Sequence, residues 1–403
     1  MTNLSQAGQA HVDAIVRVWL GLAPDREVPT LPPALARRLL RLEEYEHRHR
    51  DQWGNWEFGF CEAMRDGRLW EPDVDRWVHE QRRALGTSSP WPEGRPFAIC
   101  LSHDVDLISD AVTPHQAWRS MRLSLLGAYR SRRERAVRIA RPAVRAARAL
   151  YHGLSTAPAA EALERCVEIE HEHGVTASYF FTVYPEEDGH RYDCTYGFAD
   201  PCRFGGERVT VADVARTLDR EGLEVGLHGS FNSAVAPGRL RSEREALEAA
   251  TGLGVRSTRQ HFLHWDIRAT PALQSGAGIS ADSTLGFNRN IGLRAGTSLP
   301  FRWFDAAHDK ALDLVELPML IADCALLRSD ALELGLELAT DALETMLDRL
   351  ADAGGAATLV FHPNNFANAD NLELFRRTIA YGIERGAWFA SVRELDAWYR
   401  ARA

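Results

Sequence analysis

Lysine is almost missing from this chain: of its 47 basic residues only Lys310 is a lysine. With an abundance of alanine, this is a compositional bias of GC-rich coding and carries no function. Long apolar runs are also missing. No stretch reaches the ~18 consecutive apolar residues of a membrane-spanning helix. The N-terminal stretch Met1 to Leu20 lacks the apolar core of a secretion signal and carries His11, Asp13 and Arg17. The six cysteines, Cys61, Cys100, Cys166, Cys194, Cys202 and Cys324, lack any C-x-x-C spacing. Reduced thiols in a cytoplasmic protein are the expectation. Cys194 and Cys202 share one polar loop, where a bridge or metal clip is the alternative. Excess positive charge is absent too. The formal charge is -9, which argues against a nucleic-acid partner.

What is present is ordinary globular material: 403 residues, 45% hydrophobic and 26% charged. That length suits two domains or one large α/β domain with attachments. Residues 1–92 read as a helical cap. Leu31 to Glu46 and Pro72 to Leu85 have helical spacing, and six tryptophans fall in this part (Trp19, Trp53, Trp56, Trp70, Trp77 and Trp91). Such an aromatic cap packs on the main domain or offers a carbohydrate-stacking or partner-binding surface. Residues 93–403 then alternate short apolar runs with helical stretches. The runs are Pro96–Ser102, Thr176–Val183, Leu223–Leu227, Asp313–Leu320 and Ala357–Phe361. The alternation predicts a parallel, wound α/β sheet or barrel with its site at the C-terminal ends of the strands. One segment breaks the pattern. Between Asp110 and His152 stand ten arginines against Asp110 and Glu134, interleaved with apolar residues. Residues 110–155 read as a basic helical insertion. It would dock on acidic parts of this chain, touch an anionic membrane or lipid-linked glycan, or cover an anionic substrate.

The residues just after the apolar runs are polar in a particular way. The first run ends in Ser102-His103-Asp104-Val105-Asp106. On an extended chain Asp104 and Asp106 project to one side and His103 to the other. Two carboxylates so close need a cation or an arginine beside them. A metal bound by one carboxylate, with the other left as a base, meets that need. Further runs deliver His228, then Arg259 and His261, then His362. A convergence of Asp, Asp, His, Arg, His and His at four strand ends has no simple structural explanation. The Gly-rich stretch from Asp282 to Phe301 reads as a cleft-lining loop in which Arg294 would contact an anionic group. Trp265 is a further substrate-facing candidate.

These motifs resemble the polysaccharide deacetylases of the NodB type, metal-dependent amide and ester hydrolases on a distorted β/α barrel. The resemblance covers about residues 95–400. It implies that Asp104 is the catalytic base, Asp106 and His228 are metal ligands, Arg259 pairs with the base, and His362, in Val360-Phe361-His362, is the general acid. Gly174 to Phe181 resembles the second strand of that fold, and Asp323 the acidic residue of a loose fourth motif. The family's next ligand histidine falls at Asn232, a weak zinc ligand. Three outcomes stay open: His261 completes the site, Asn232 does so or the site is incomplete, or no metal binds. His264 alternates to the other side.

The implied reaction is hydrolysis of an N-acetyl group on an amino sugar or glycan precursor, with a divalent metal, zinc by expectation. The alternatives are a small-molecule amide hydrolase of secondary metabolism on the same fold, and a catalytically silent glycan-binding or scaffold protein. An intracellular location is expected, with peripheral contact at the inner membrane face through residues 110–152.

Overall fold

The computed structural model describes residues 4–51, 53–87, 89–108, 118–119, 121–122, 158–184 and 189–403. The basic insertion expected at 110–155 therefore lies outside the described residues, apart from Trp118, Arg119, Met121 and Arg122. No helix among the described residues is long and apolar enough to cross a membrane.

The apolar runs are strands, and they pair as the alternation requires. β1 (Ala98–Val105), β2 (Ala177–Thr182), β5 (Glu224–Gly229), β6 (Ser257–Gln260), β7 (Ala281–Asp282), β8 (Phe301–Asp305), β9 (Lys310–Glu316), β10 (Met319–Ala322) and β11 (Ala356–Phe361) form one sheet in the order β10-β11-β1-β2-β5-β6-β7-β9-β8. β12 (Trp388–Phe389) also pairs with β1, and β3 (Pro201–Phe204) with β4 (Glu207–Thr210) makes a separate hairpin. Every pair in the large sheet is parallel except β8 with β9. β1, β2, β5, β6 and β11 are buried along their whole length, which is why they read as continuous apolar runs.

Two observations show that the sheet curls into a barrel. Asp313–Leu320, expected as one strand, is two. Pro318 has no N–H to extend the ladder, so the chain leaves β7 at Glu316 and joins β11 from Met319. Two residues thus link strands that stand near opposite ends of the strand order. The side chain of Arg259 on β6 also reaches Asp104 and Ser102 on β1, three strands away. Across a flat sheet that is about 14 Å, beyond the reach of an arginine.

Helices cover the outside. α1 (Gln6–Leu20), α2 (Pro33–Leu39), α3 (Leu42–Glu46), α4 (Glu62–Arg65) and α5 (Asp73–Leu85) come from the N-terminal part. α6 (Pro158–His173), α7 (Val211–Arg220), α8 (Arg239–Thr251), α9 (Thr270–Gly276), α10 (Asp323–Leu327), α11 (Leu336–Ala353), α12 (Ala369–Glu384) and α13 (Val392–Arg400) follow. The expected helix Leu31–Glu46 is broken at Arg41, which takes a left-handed φ of 55°. Val12, Trp19, Leu39, Val74 and Val78 belong to the same hydrophobic core as the strands. The N-terminal helices are therefore built into the barrel wall. Trp19 Nε1 donates to the Pro300 carbonyl at 2.7 Å, and Asp75 accepts from Thr297 and Ser298. All six cysteines are free thiols.

One buried acid pair gives the fold a pH dependence. Asp282 and Glu316 stand opposite each other on β7 and β9, fully buried. Burial pushes both carboxyls up, and Glu316 rises further because ionised Asp282 is its neighbour. The pair therefore keeps a proton in the folded protein that the unfolded chain, with carboxyls near pH ~4, has released. Above that pH folding takes up a proton, so stability falls as pH rises. Glu316→Gln replaces that proton with an amide N–H donating to Asp282. Urea unfolding between pH 5 and 8 should show a wild-type slope steeper than the variant's by up to about 1.4 kcal/mol per pH unit. Parallel slopes would refute the shared proton.

Candidate active site

The strand alternation places the chemistry. On β1, Cys100, Ser102 and Asp104 turn into the barrel, while His103 turns out under α6. There its two ring nitrogens meet the Phe361 carbonyl (3.0 Å) and Glu170 (2.7 Å). Tyr179 donates to the same Glu170 at 2.6 Å. The cluster of His103, Cys166 and Glu170 is thus satisfied as a buried cross-link between β1, β2 and α6.

Inside, Arg259 organises Asp104. Its Nη1 donates to Asp104 Oδ1, and its Nη2 donates to the Ser102 and Ser283 hydroxyls, each at 2.8 Å. Nε donates to the Ser283 carbonyl at 2.8 Å, so all three guanidinium nitrogens are used. The guanidinium lies 4.6 Å over the Phe180 ring. Phe180 fits beneath it because β5 carries Gly226, where a Cβ would meet a Phe180 ring carbon at 2.5 Å. Asp104 Oδ2, the oxygen Arg259 leaves, lies 3.9 Å from His228 Nε2 and 3.9 Å from His362 Nε2. Burial pushes the Asp104 carboxyl up, but His228, Arg259 and His362 together hold it below the usual carboxylate range.

Asp106, His228 and His261 bring one donor atom each to a common point. Asp106 Oδ1 is 3.4 Å from His228 Nε2 and 3.9 Å from His261 Nδ1. Donors bonded tetrahedrally to zinc at its usual bond lengths stand about 3.4 Å apart. His228 Nδ1 donates to the Arg259 carbonyl at 2.9 Å, which fixes the tautomer and frees Nε2 for a cation. Burial lowers His261 to about 4, so its imidazole is neutral. Asp106 stays ionised well below the usual range, burial being outweighed by His261 and His228. Two neutral-capable imidazoles, one carboxylate and an open side fit a divalent cation such as zinc. Asn232 does not line this cavity. It sits in the turn Phe231–Ala234, where Ser233 N donates to the Ser230 carbonyl and Phe231 N to Asp193.

His362 follows β11 on the opposite wall. Its Nδ1 meets Asp323 Oδ1 at 2.6 Å, leaving Nε2 toward Asp104 and Asp106 at 3.9 and 4.0 Å. Burial lowers the imidazole, yet Asp323 raises it well above its ordinary value. Asp323 is itself fixed by the His362 and Cys324 backbone N–H groups and the Asn365 amide. The cavity around these groups has Met319, Val360, Phe262 and Leu263 as apolar walls.

Two expected residues lie elsewhere. Arg294 is a buried anchor: its Nε and Nη2 each donate to Glu44 at 2.8 Å, and its Nη1 donates to the Gly286 carbonyl. Trp265 is 1% exposed and packs edge-on against Trp303. Neither reaches the cavity: Glu44 of α3 takes the Arg294 guanidinium, and Trp303 of β8 covers Trp265. One neighbour was read from the sequence only as a bridge or metal-clip partner of Cys202. Cys194 Sγ lies 3.7 Å from His261 Nδ1 and 3.8 Å from Asp106 Oδ1. Its loop carries no periodic pattern that would place it there.

Local backbone strain also converges on the site. Immediately after His261, Phe262 and Leu263 have left-handed φ angles of 60° and 47°. Each such non-glycine residue costs about 1–3 kcal/mol. The turn is held from both sides. Asn55 Nδ2 (3.3 Å) and Asn288 Nδ2 both donate to the Phe262 carbonyl, and Trp265 N donates to Asn55 Oδ1 at 2.9 Å. An asparagine of the N-terminal part thus fixes the turn that carries His261.

No family model matches the chain, and no curated protein matches it. Solved structures similar to it include a Mycobacterium smegmatis protein assigned as a polysaccharide deacetylase (20% identity, 77% of this chain and 93% of that one, TM-score 0.49). The Puue allantoinase is another (13% identity, 78% and 93%, TM-score 0.47). A Pseudomonas aeruginosa PAO1 protein, likewise assigned as a polysaccharide deacetylase, is a third (13% identity, 78% and 94%, TM-score 0.46).

Proposed function

We propose that the protein is a metal-dependent hydrolase that removes an acetyl group from the nitrogen of an amino sugar or glycan precursor. The observation that carries this reading is the division of labour at Asp104: one oxygen is fixed by Arg259, and the other faces the cavity between His228 and His362. A carboxylate so held is ionised and oriented to accept a proton from an attacking water. His362, kept protonated by Asp323, stands ready to give its Nε2 proton to the departing nitrogen. A base and an acid of opposite protonation state at one cavity are what amide hydrolysis needs. Asp106, His228 and His261 would hold the cation, zinc by its donor set, with Cys194 beside them. When bound, such a cation supplies Lewis-acid polarisation of the amide carbonyl.

The test pairs two measurements on the purified protein: elemental analysis, and acetate release from N-acetylated sugars. One equivalent of a divalent cation is expected. His261→Ala should weaken its binding by at least about tenfold in competition with a chromogenic chelator. A protein that takes up no zinc at micromolar concentrations, or a His261→Ala variant with wild-type affinity, would remove the metal from this reading. Acetate release unaffected by chelation would do so as well.

A further inference from the structure

One buried side chain beside the metal-ligand set takes no part in the proposed hydrolysis. Cys194 Sγ stands 3.7 Å from His261 Nδ1 and 3.8 Å from Asp106 Oδ1, and those two atoms are 3.9 Å apart. The three donor atoms therefore form a nearly equilateral triangle. Sulfur at about 2.3 Å and nitrogen at about 2.1 Å from one zinc stand about 3.6 Å apart at the tetrahedral angle. The sulfur is thus spaced from its neighbours as a ligand of the same cation would be.

The loop around Cys194 is fixed on both sides. Asp193 Oδ1 accepts from Phe231 N at 2.7 Å, and its Oδ2 from His190 N at 2.6 Å. The Tyr196 hydroxyl donates to the Val105 carbonyl at 2.7 Å and accepts from Thr182 N at 2.9 Å, which ties the loop to the ends of β1 and β2. Thr182 Oγ1 also donates to Cys194 Sγ at 3.5 Å. The two Asp106 oxygens mark two sides of the ligand set. His362 Nε2 faces Oδ2 at 4.0 Å, and Cys194 faces Oδ1. A sulfur ligand would approach from the Oδ1 side and leave the side of the acid to water, as a zinc that expands to five ligands allows.

We propose that Cys194 is a fourth protein ligand of the cation, beside Asp106, His228 and His261, and that its sulfur selects zinc over hard cations such as magnesium, calcium or manganese. The inference rests on reading Asp106, His228 and His261 as ligands, the metal part of the proposed function. Forming the metal–sulfur bond displaces the thiol proton to solvent, and no electron is transferred. The thiol that the sequence paired with Cys202 thus has Asp106 and His261 as its companions.

The test is cobalt(II) substitution of the full-length protein, read by absorption without substrate. A thiolate bound to cobalt(II) gives an intense charge-transfer band in the near ultraviolet that nitrogen and oxygen ligands do not give. The wild type should show this band. Cys194→Ser should lose it and keep the weaker visible bands of bound cobalt. Cys324→Ser should keep it, since Cys324 clusters with Asp323 and His362 instead. Zinc affinity should fall at least about tenfold in Cys194→Ser, while manganese affinity changes by less than about threefold. A wild type that binds no cobalt, or binds it without the band, overturns the assignment; so does a band that survives Cys194→Ser. If Cys194→Ser does not fold, X-ray absorption of zinc-loaded Cys324→Ser decides: one sulfur at about 2.3 Å supports the ligand, and a shell of nitrogen and oxygen alone overturns it. Acetate release is measured separately. Metal-dependent release without the band removes Cys194 and leaves the hydrolase reading standing; the band without release does the reverse.

Discussion

Asp104→Asn should lower acetate release by about a thousandfold, within the range that a positioned base contributes. The substitution keeps the shape of the side chain and removes only its capacity to take a proton. It also removes the carboxylate facing Arg259, whose guanidinium is fully buried. That charge would retain its bonds to Ser102 and Ser283 but lose its counter-ion, so a stability loss of about 3–5 kcal/mol accompanies the kinetic one. The two effects separate cleanly if turnover is measured below the melting transition on protein shown to be folded. Metal content separates them from a third possibility. Asp106, His228 and His261 form a donor set without Asp104, so the variant should bind its cation with nearly wild-type affinity. A folded variant that keeps more than a tenth of the wild-type rate would remove Asp104 from the base role. A folded variant that loses its metal would make Asp104 a ligand.

The parts of this site that the sequence made legible obey period two. Asp104 and Asp106 face inward and His103 outward because β1 is extended through Val105. His261 follows from Arg259 by the same parity, although the strand itself ends at Gln260. His362 and His228 were found because each ends a buried apolar run. The parts that stayed illegible depend on partners distant in the chain. Arg294 looks like a ligand-binding arginine in a Gly-rich loop until Glu44, 250 positions away, takes its guanidinium. Trp265 looks available until Trp303 covers it. The break at Pro318 was visible as a residue, but its meaning depends on β7 and β11 being brought together by curvature. The strained turn at Phe262 and Leu263 had no local signal at all. Neither residue is Gly or Asn, and the amides that hold the turn come from Asn55 and Asn288.

Because residues outside the motif-bearing region hold the site together, a substitution far from the cavity should have the second largest effect. Glu44→Leu is expected to destabilise the protein by about 3–5 kcal/mol. Glu44 is buried between two buried arginines. It accepts Arg294 Nε and Nη2 at 2.8 Å and Arg41 Nε at 2.8 Å. Burial pushes its carboxyl up, but Arg294 and Arg41 together draw it below the usual range, so it is ionised. Leucine would leave Arg294 without a carboxylate partner and Arg41 with only Glu43, 2.9 Å away. The cost is then that of an uncompensated buried charge, not of a missing contact. The double variant Glu44→Leu/Arg294→Met tests that distinction. Removing both charges takes away the uncompensated ion, so the pair should be more stable than Glu44→Leu alone. If the loss were instead one of shape, the double variant would be the less stable of the two. Chemical unfolding of the wild type, both single variants and the double variant closes the cycle. Activity should track it, since the same N-terminal part carries Asn55 onto the Phe262 carbonyl beside His261. A loosened N-terminal part frees that turn, and with it the imidazole that faces Asp106.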